Sequence, residues 1–293
     1  MHAGPSCGRE RGRLANLGQV LQSAIARLEG CSETPRLDAE VLLSHVLGRN
    51  RAYLRAWPER RLMSTQVEHY TQLVEKRTLG QPIAYLTGER EFWSRPFAIR
   101  PGVLIPRPET ELLIELALRI IPVDLPAEIL DLGTGSGIIA VTLAAERPLA
   151  RVIATDISPD ALETARKNAS RIGTENISFR CGDWFGCLND RQHFDLVISN
   201  PPYIAEEDPH LEQGDLRFEP EPALKSGPDG LDALRAIAEG ARHRLKAGGC
   251  LALEHGYHQA ASVTALLAEF GYSEISNHRD LQGHFRAATA HCP

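Results

Sequence analysis

Along the first 80 or so residues, apolar positions recur every three or four residues. Leu14, Leu17, Leu21, Ile25 and Leu28 form one such series, the spacing of a helix with a single buried stripe. Thr34-Pro35 then pairs a capping residue with a first-turn proline, ahead of Val41, Leu42, Val46 and Leu47, and Gly48 closes the run. Thr65 and Glu68 make a T-x-x-E capping pattern, with Gly80 as the stop. These features predict a small helical bundle over residues 1–84, whose default role is recognition or packing. From Tyr85 to Ile105 the rhythm changes. Tyr85, Phe92, Trp93, Phe97, Ile99 and Val103 alternate loosely with polar residues, punctuated by Pro96 and Pro101-Gly102. A β-hairpin linker over residues 85–105 fits that pattern.

Residues 106–293 read differently. Pro106-Arg107-Pro108 opens a helix through Glu111, Leu112, Leu113, Leu116 and Ile120. After Pro126 strands and helices alternate. The predicted strands are Glu128–Leu132, Val152–Thr155, Ile177–Arg180, Leu196–Ser199, Cys250–Glu254, Glu274–Ser276 and His284–Thr289, with helices such as Ser158–Ile172 and Leu231–Leu245 between them. Such alternation predicts an α/β domain: a mainly parallel sheet of seven strands with helices on its faces.

Composition narrows the class. A chain of 293 residues with 43% hydrophobic and 24% charged residues is an ordinary globular mix of about two domains. No uninterrupted apolar run approaches the roughly 18 residues of a membrane span, so no membrane association is expected. Arg9, Arg11 and Arg13 lack the apolar stretch that would follow them in a secretory signal; a solvated terminus is favoured over a short transit-type tail. The six cysteines (Cys7, Cys31, Cys181, Cys187, Cys250 and Cys292) form no CxxC pair and no cluster of zinc spacing, which predicts free thiols, no metal and a cytoplasmic setting. The net charge of −6 is uneven. Residues 1–84 carry 12 Lys/Arg against 8 Asp/Glu, and residues 85–293 carry 20 against 30. The acidic second part argues against a broad nucleic-acid footprint there.

In open α/β sheets ligands bind beyond the carboxyl ends of the strands. After the first predicted strand comes Asp131-Leu-Gly133-Thr134-Gly135-Ser136-Gly137; after the second, Asp156; after the third, Asp183-Trp184; after the fourth, Asn200-Pro201-Pro202-Tyr203. The glycines let backbone approach a ligand, although alone they also suit a plain strand-to-helix turn. Asp156 stands where a carboxylate takes ribose hydroxyls, but an Asp at a strand end also serves as a helix cap, and Ser158 is a rival for that role. Trp184 suits stacking on an adenine face, with Asp183 accepting from the exocyclic amine, or simple core packing. Together these groups favour an adenosyl cofactor.

Asn200-Pro201-Pro202-Tyr203 is the specific feature. It resembles the signature of S-adenosylmethionine-dependent methyltransferases that modify planar amide or amino nitrogens. The stretches Gly80-Gln-Pro-Ile-Ala-Tyr-Leu-Thr-Gly88, Glu91-Phe-Trp93, Leu104-Ile-Pro-Arg-Pro-Glu-Thr-Glu111, Asp183-Trp-Phe185, Asn200–Ile204, Asp208-Pro-His210, Arg217-Phe-Glu-Pro220 and Glu254-His-Gly256 extend the likeness over nearly the whole chain, to the release factor glutamine methyltransferase family. The resemblance implies a Rossmann-like methyltransferase domain with a terminal antiparallel strand and an N-terminal helical domain that grips the substrate. It further implies S-adenosyl-L-methionine as cofactor. The expected partner is a class 1 peptide chain release factor, methylated on the glutamine of its Gly-Gly-Gln motif. The tail departs from many relatives: Arg279-Asp-Leu-Gln-Gly-His-Phe-Arg286 is followed by a short Ala-rich end.

On this reading the Asn200 side-chain oxygen and the Pro201 carbonyl accept the two hydrogens of the substrate amide, Pro202 keeps the turn rigid, and Tyr203 packs against the amide plane. Gly133, Thr134, Gly135, Ser136, Gly137, Asp156, Asp183, Trp184 and Asn200 hold the cofactor. Arg107, Glu109, Arg217, Glu219, Glu254 and His255 remain open between roles at the cleft and roles in packing. The rivals are a methyltransferase acting on a ribosomal-protein glutamine, an adenine-N6 nucleic-acid methyltransferase, a non-catalytic binder and a nicotinamide dehydrogenase. The acidity of residues 85–293 weighs against the nucleic-acid reading.

Overall fold

The computed structural model describes residues 15–293; Cys7, Arg9, Arg11, Arg13 and Leu14 lie outside the described residues. The chain divides into two compact units, with the division between Thr87 and Gly88. The first holds, among its described residues, five helices: α1 (Leu17–Leu28), α2 (Pro35–Leu47), α3 (Arg51–Ala56), α4 (Ser64–Thr78) and α5 (Ile83–Thr87). Leu17, Leu21, Leu28, Leu42, Leu43, Leu54, Tyr70 and Leu73 fill its interior, so the predicted stripe of α1 is the face that packs. Pro35 sits in the first turn of α2, and Gly48 ends it in the left-handed region at φ 59°, where glycine carries no Cβ penalty. The start of α4 differs from expectation. Thr65 lies inside the first turn, and the Gln66 side chain accepts the Met63 N–H at 3.0 Å. A glutamine at the third helical position reaches back to the cap and replaces the Thr65–Glu68 device. Tyr85 is helical, in α5.

The second unit begins with a hairpin of β1 (Glu89–Phe92) and β2 (Arg95–Ala98). Its two-residue turn places Trp93 and Ser94 at φ 50° and 56°, a conformation non-glycine residues seldom adopt. Side chains hold it there. Glu111 accepts the Trp93 N–H at 2.9 Å, and Glu146 accepts from Trp93 Nε1 and Arg95. Asn168 secures the other end, accepting the Ala98 N–H at 2.7 Å and donating to the Ala98 carbonyl at 3.1 Å. The hairpin is thus packed into this unit, as part of its surface.

There follow α6 (Glu111–Ile120), β3 (Glu128–Leu132), α7 (Ile138–Glu146), β4 (Arg151–Asp156), α8 (Pro159–Ile172), β5 (Ile177–Cys181), β6 (Phe194–Ser199), α9 (Asp232–Arg242), β7 (Leu245–Glu254), α10 (Ala260–Glu269), β8 (Ser273–Arg279) and β9 (Phe285–His291). The seven strands β3 to β9 form one sheet in the order β5-β4-β3-β6-β7-β9-β8. The first five are parallel, and β9 runs antiparallel to both β7 and β8. Strand β7 starts five residues earlier than its apolar run suggested, because Phe194 pairs with Leu245 before the register shifts and Leu196 pairs with Cys250. Helix α7 is buried from Ile138 to Ala144, so it carries no amphipathic stripe. From β3 the chain winds outward through β4 to β5, then returns to the other side of β3 as β6. That reversal opens a crevice at the carboxyl ends of β3, β4 and β6, where such sheets bind ligands.

Candidate active site

The glycine loop turns the chain from β3 into α7. Gly133, Gly135 and Gly137 all have positive φ. Gly137 has a second reason to be glycine: a Cβ there would lie 2.9 Å from the Ala165 Cβ on α8, closer than packed carbons approach. The Gly135 N–H donates to Asp156 Oδ2 at 2.8 Å, and the Ser158 N–H donates to Asp156 Oδ1 at 2.8 Å. Ser158 itself caps α8, accepting the Ala161 N–H at 3.2 Å. The two residues that compete in the sequence therefore divide the work: Ser158 caps, and Asp156 fixes the loop while facing the crevice. Burial raises the Asp156 pKa, opposed by these backbone donors. Beneath the loop, fully buried Asp131 accepts the Thr134 hydroxyl at 2.6 Å. Burial pushes its carboxyl up to about 7.

Asp183 is exposed and Trp184 half-buried at the end of β5. The Thr155 hydroxyl donates to the Trp184 carbonyl at 3.3 Å, and a Cβ on Gly133 would meet the Trp184 ring at 3.5 Å. The ring therefore lies over the glycine loop.

At the end of β6, Ser199 is buried and donates to the Leu132 carbonyl at 2.7 Å, tying β6 to β3 where the winding reverses. Asn200 follows. Its Nδ2 donates to the Thr110 hydroxyl oxygen at 3.0 Å. Pro201 is buried. Tyr203 points into the core; its hydroxyl donates to Glu254 Oε1 at 3.1 Å, and burial raises its pKa. The backbone beyond is clamped: the Tyr203 carbonyl accepts Gln259 Nε2 at 3.0 Å, and a Cβ on Gly230 would fall 2.5 Å from that same carbonyl oxygen. Glu254 is 2% exposed, and burial pushes its carboxyl up to about 7.

These strand ends share one cavity of about 660 Å³, within the usual range of small-molecule sites. Gly133, Thr134, Gly135, Ser136, Asp156, Asp183, Trp184, Asn200 and Pro202 line it. Gly137, Pro201 and Tyr203 do not; Gly137 supports the loop from below, and Tyr203 is turned to Glu254. Of the residues left open by the sequence, Arg107 reaches the wall. It is ion-paired with buried Glu219, which also accepts the Ile105 N–H at 3.0 Å. Glu254 and His255 lie behind the wall, and His255 Nδ1 sits 2.9 Å from the Gly256 carbonyl. Sequence reasoning missed Thr110, whose only signal was its place in the Leu104–Glu111 stretch. It also missed Val103, Leu104, Lys225 and Ser226 on the wall. Among the described residues no three His, Cys, Asp or Glu side chains gather as a metal site, and no helix is long and apolar enough to cross a membrane.

Comparison with known proteins agrees with this geometry. Residues 19–88 match the PrmC N-terminal domain, and residues 126–286 match a methyltransferase domain. A release factor glutamine methyltransferase of Vibrio cholerae is 47% identical over 91% of this chain and 93% of its own length. Its counterpart in Escherichia coli is 46% identical over 89% and 93%. The chain belongs to the release factor glutamine methyltransferase family. Two solved structures share the fold. The 16S rRNA N2 G1207 methyltransferase of T. Thermophilus has a TM-score of 0.52 at 19% identity, covering 70% of this chain and 50% of its own. A methyltransferase from Pyrococcus furiosus has a TM-score of 0.50 at 19% identity, covering 67% and 87%. Family membership accounts for the spread of motifs along this chain: the Asn200–Tyr203 turn and the Asp156 loop meet at one cavity, as members of a methyltransferase domain.

Proposed function

We propose that this chain transfers a methyl group from S-adenosyl-L-methionine to the side-chain amide nitrogen of the glutamine in the Gly-Gly-Gln motif of class 1 release factors, in the cytoplasm. The observation that carries it is Asn200, held at the end of β6 on the wall of the cavity that Asp156 and the glycine loop also line. The residues fit the cofactor. Asp156 offers a carboxylate at the ribose position, Trp184 an aromatic face, and the glycine loop a surface free of Cβ atoms. When bound, S-adenosyl-L-methionine supplies an activated sulfonium methyl.

The protein's task lies with the other reactant. A glutamine amide nitrogen is a weak nucleophile because its lone pair is delocalised into the carbonyl; the amide rotation barrier of roughly 18–20 kcal/mol measures that resonance. Asn200 Oδ1, on the cavity wall, accepts one amide hydrogen; the carbonyl of Pro201, buried between the wall residues Asn200 and Pro202, takes the second once the substrate is seated, and the pair draws the nitrogen toward a tetrahedral shape. Proline suits the second position because its fixed φ sets the carbonyl direction. Both acceptors strengthen as positive charge develops on nitrogen, which lowers the barrier more than it deepens ground-state binding. Fixed orientation contributes further, on the order of 7–11 kcal/mol in favourable cases. The methylated amide then loses its extra proton to water, so no side-chain base is required. Tyr203 acts from within the core, anchoring the turn through Glu254.

The test is mass spectrometry of a release factor incubated with the enzyme and labelled S-adenosyl-L-methionine. One added methyl on the Gly-Gly-Gln glutamine is expected. Labelling of a ribosomal protein or of nucleic acid in its place would replace this reading.

A further inference from the structure

Methyl transfer needs the Pro201 carbonyl aimed at the substrate amide, and two prolines make the turn that carries it stiff. The ring of Pro201 fixes its φ, and a following proline confines its ψ to the extended range. Such a segment does not absorb a displacement at one end; it swings as a rod. The carbonyl direction is therefore set where the turn is anchored. At the entrance, Ser199 donates to the Leu132 carbonyl at 2.7 Å, and Asn200 Nδ2 donates to Thr110 Oγ1 at 3.0 Å. At the exit, the Tyr203 hydroxyl reaches Glu254 at 3.1 Å, but that bond acts at the far end of a side chain. The bond from Gln259 Nε2 to the Tyr203 carbonyl, at 3.0 Å, acts on the backbone of the turn itself. Gln259 stands just ahead of α10 and is 4% exposed. Its carboxamide holds two further loops. Nε2 also donates to the Gly230 carbonyl at 3.3 Å, ahead of α9, and Oε1 accepts the Gly256 N–H at 2.8 Å, after β7. Two carbonyls and one N–H admit a single orientation of the amide. The neighbours are shaped to it: a Cβ on Gly230 would lie 2.8 Å from Gln259 Nε2, and one on Gly256 would lie 2.9 Å from its Oε1.

We propose that Gln259 is a positioning residue for methyl transfer: by holding the exit of the Asn200–Tyr203 turn, it sets the direction of the Pro201 carbonyl toward the substrate amide. The inference rests on the methyl-transfer reading above and deepens it. One buried carboxamide locks the turn to the loop before α9 and to the turn after β7, so the three segments share one geometry. Gln259→Glu keeps the shape but points an acceptor at the Tyr203 and Gly230 carbonyls, and the repulsion pushes the exit of the turn away. Gln259→Met keeps the length and leaves both carbonyls without this donor. In each case the displacement reaches Pro201 through the prolines, and an error of about 1 Å in positioning costs on the order of 100-fold in rate. Gln259 does not line the cavity, so the cofactor keeps its contacts.

The experiment compares Gln259→Glu and Gln259→Met with the wild type. In Gln259→Glu, kcat should fall roughly 10- to 100-fold, with KM for the release factor and the Kd for S-adenosyl-L-methionine within about threefold. Gln259→Met should show the same split, and it carries the test alone should Gln259→Glu not fold. A wild-type kcat in a folded variant, or a rise in KM or Kd that matches the loss in kcat, would overturn the assignment. A second readout needs no substrate. Pro201-Pro202 is the chain's only Pro-Pro pair, and Tyr203-Ile204 its only Tyr-Ile pair, so selective 13C-carbonyl and 15N labelling gives one signal for each carbonyl. In the variants the Tyr203 signal should shift as its donor is lost, and the Pro201 signal should shift with it. A Pro201 signal that stays in place would make Gln259 a structural residue only and would also overturn the proposal. A wild type that methylates no release factor counts against the substrate reading alone, because the Pro201 signal still decides whether Gln259 sets the turn.

Discussion

Both units of this protein bury carboxylates, and they hold them in opposite ways. In the helical unit, Glu40 is 1% exposed and faces arginines: Arg51 Nε donates to it at 2.8 Å, with Arg55 at 3.4 Å. Asp38 is paired with Arg77 Nε at 2.7 Å. Burial works against ionisation of Glu40, but Arg51 and Arg55 outweigh it and hold the carboxyl below its usual range. In the sheet unit, Asp131 and Glu254 are equally buried but rest on hydroxyls, Thr134 for one and Tyr203 for the other, and both are pushed up to about 7. An arginine neutralises a carboxylate and staples helices together. A hydroxyl leaves the charge costly but passes on a direction, because it donates one way and accepts another. The first device suits a scaffold, the second an active site.

The largest effect is expected in the sheet unit, at Asn200 on the cavity wall. Asn200→Ala should lower turnover roughly 100- to 1,000-fold, about 3–4 kcal/mol of barrier, the scale of losing one preorganised polar group. Cofactor affinity should stay within a few-fold by titration calorimetry; near-normal turnover would remove Asn200 from the chemistry. Next comes the pH dependence of stability. The folded-state pKa of Glu254 lies above its unfolded value, so its stabilising contribution is complete below the ordinary carboxylate range and lost as pH rises to about 7. Urea unfolding of Glu254→Gln between pH 4.5 and 8 should therefore gain on the wild type by roughly 3 kcal/mol toward the alkaline end. A constant difference would mean that the site is better solvated than its burial indicates.

The helical unit should answer with the opposite sign. Glu40 has a depressed pKa, so its contribution is present above the ordinary carboxylate range and lost as pH falls through the folded value. Glu40→Gln should cost about 1–3 kcal/mol near neutrality, the arginines being partly exposed, and the loss should shrink in acid. A variant as stable as the wild type at pH 7 would deny the ion pairs a structural role. The smallest effect is expected at Ser32, whose hydroxyl donates to Asp38 at 2.8 Å beside Arg77. Ser32→Ala should lose only about 1 kcal/mol, because the arginine already satisfies the carboxylate. A loss comparable to that of Glu40→Gln would show hydroxyls to be as structural as arginines here.

The sequence alone determined the class of each part and the identity of its chemical groups. Helical spacing, Pro35 and Gly48 announced the bundle. Strand–helix alternation announced the sheet, and Gly133–Gly137, Asp156, Trp184 and Asn200 stood at successive strand ends because those signals are local in the chain. The ambiguity between Asp156 and Ser158 was also local, since both are polar residues at one helix start, yet the packing of the glycine loop against β4 is what divides their roles. Only the tertiary structure decided the rest. It turned Tyr203 inward to Glu254, brought Arg107 to Glu219 and set Thr110 behind Asn200. Those partners lie between 51 and 112 residues apart, and no periodicity or cap pattern spans such a distance. Hydrogen-bond direction depends on which groups burial forces together, and burial is a property of the packed sheet, not of any segment of it.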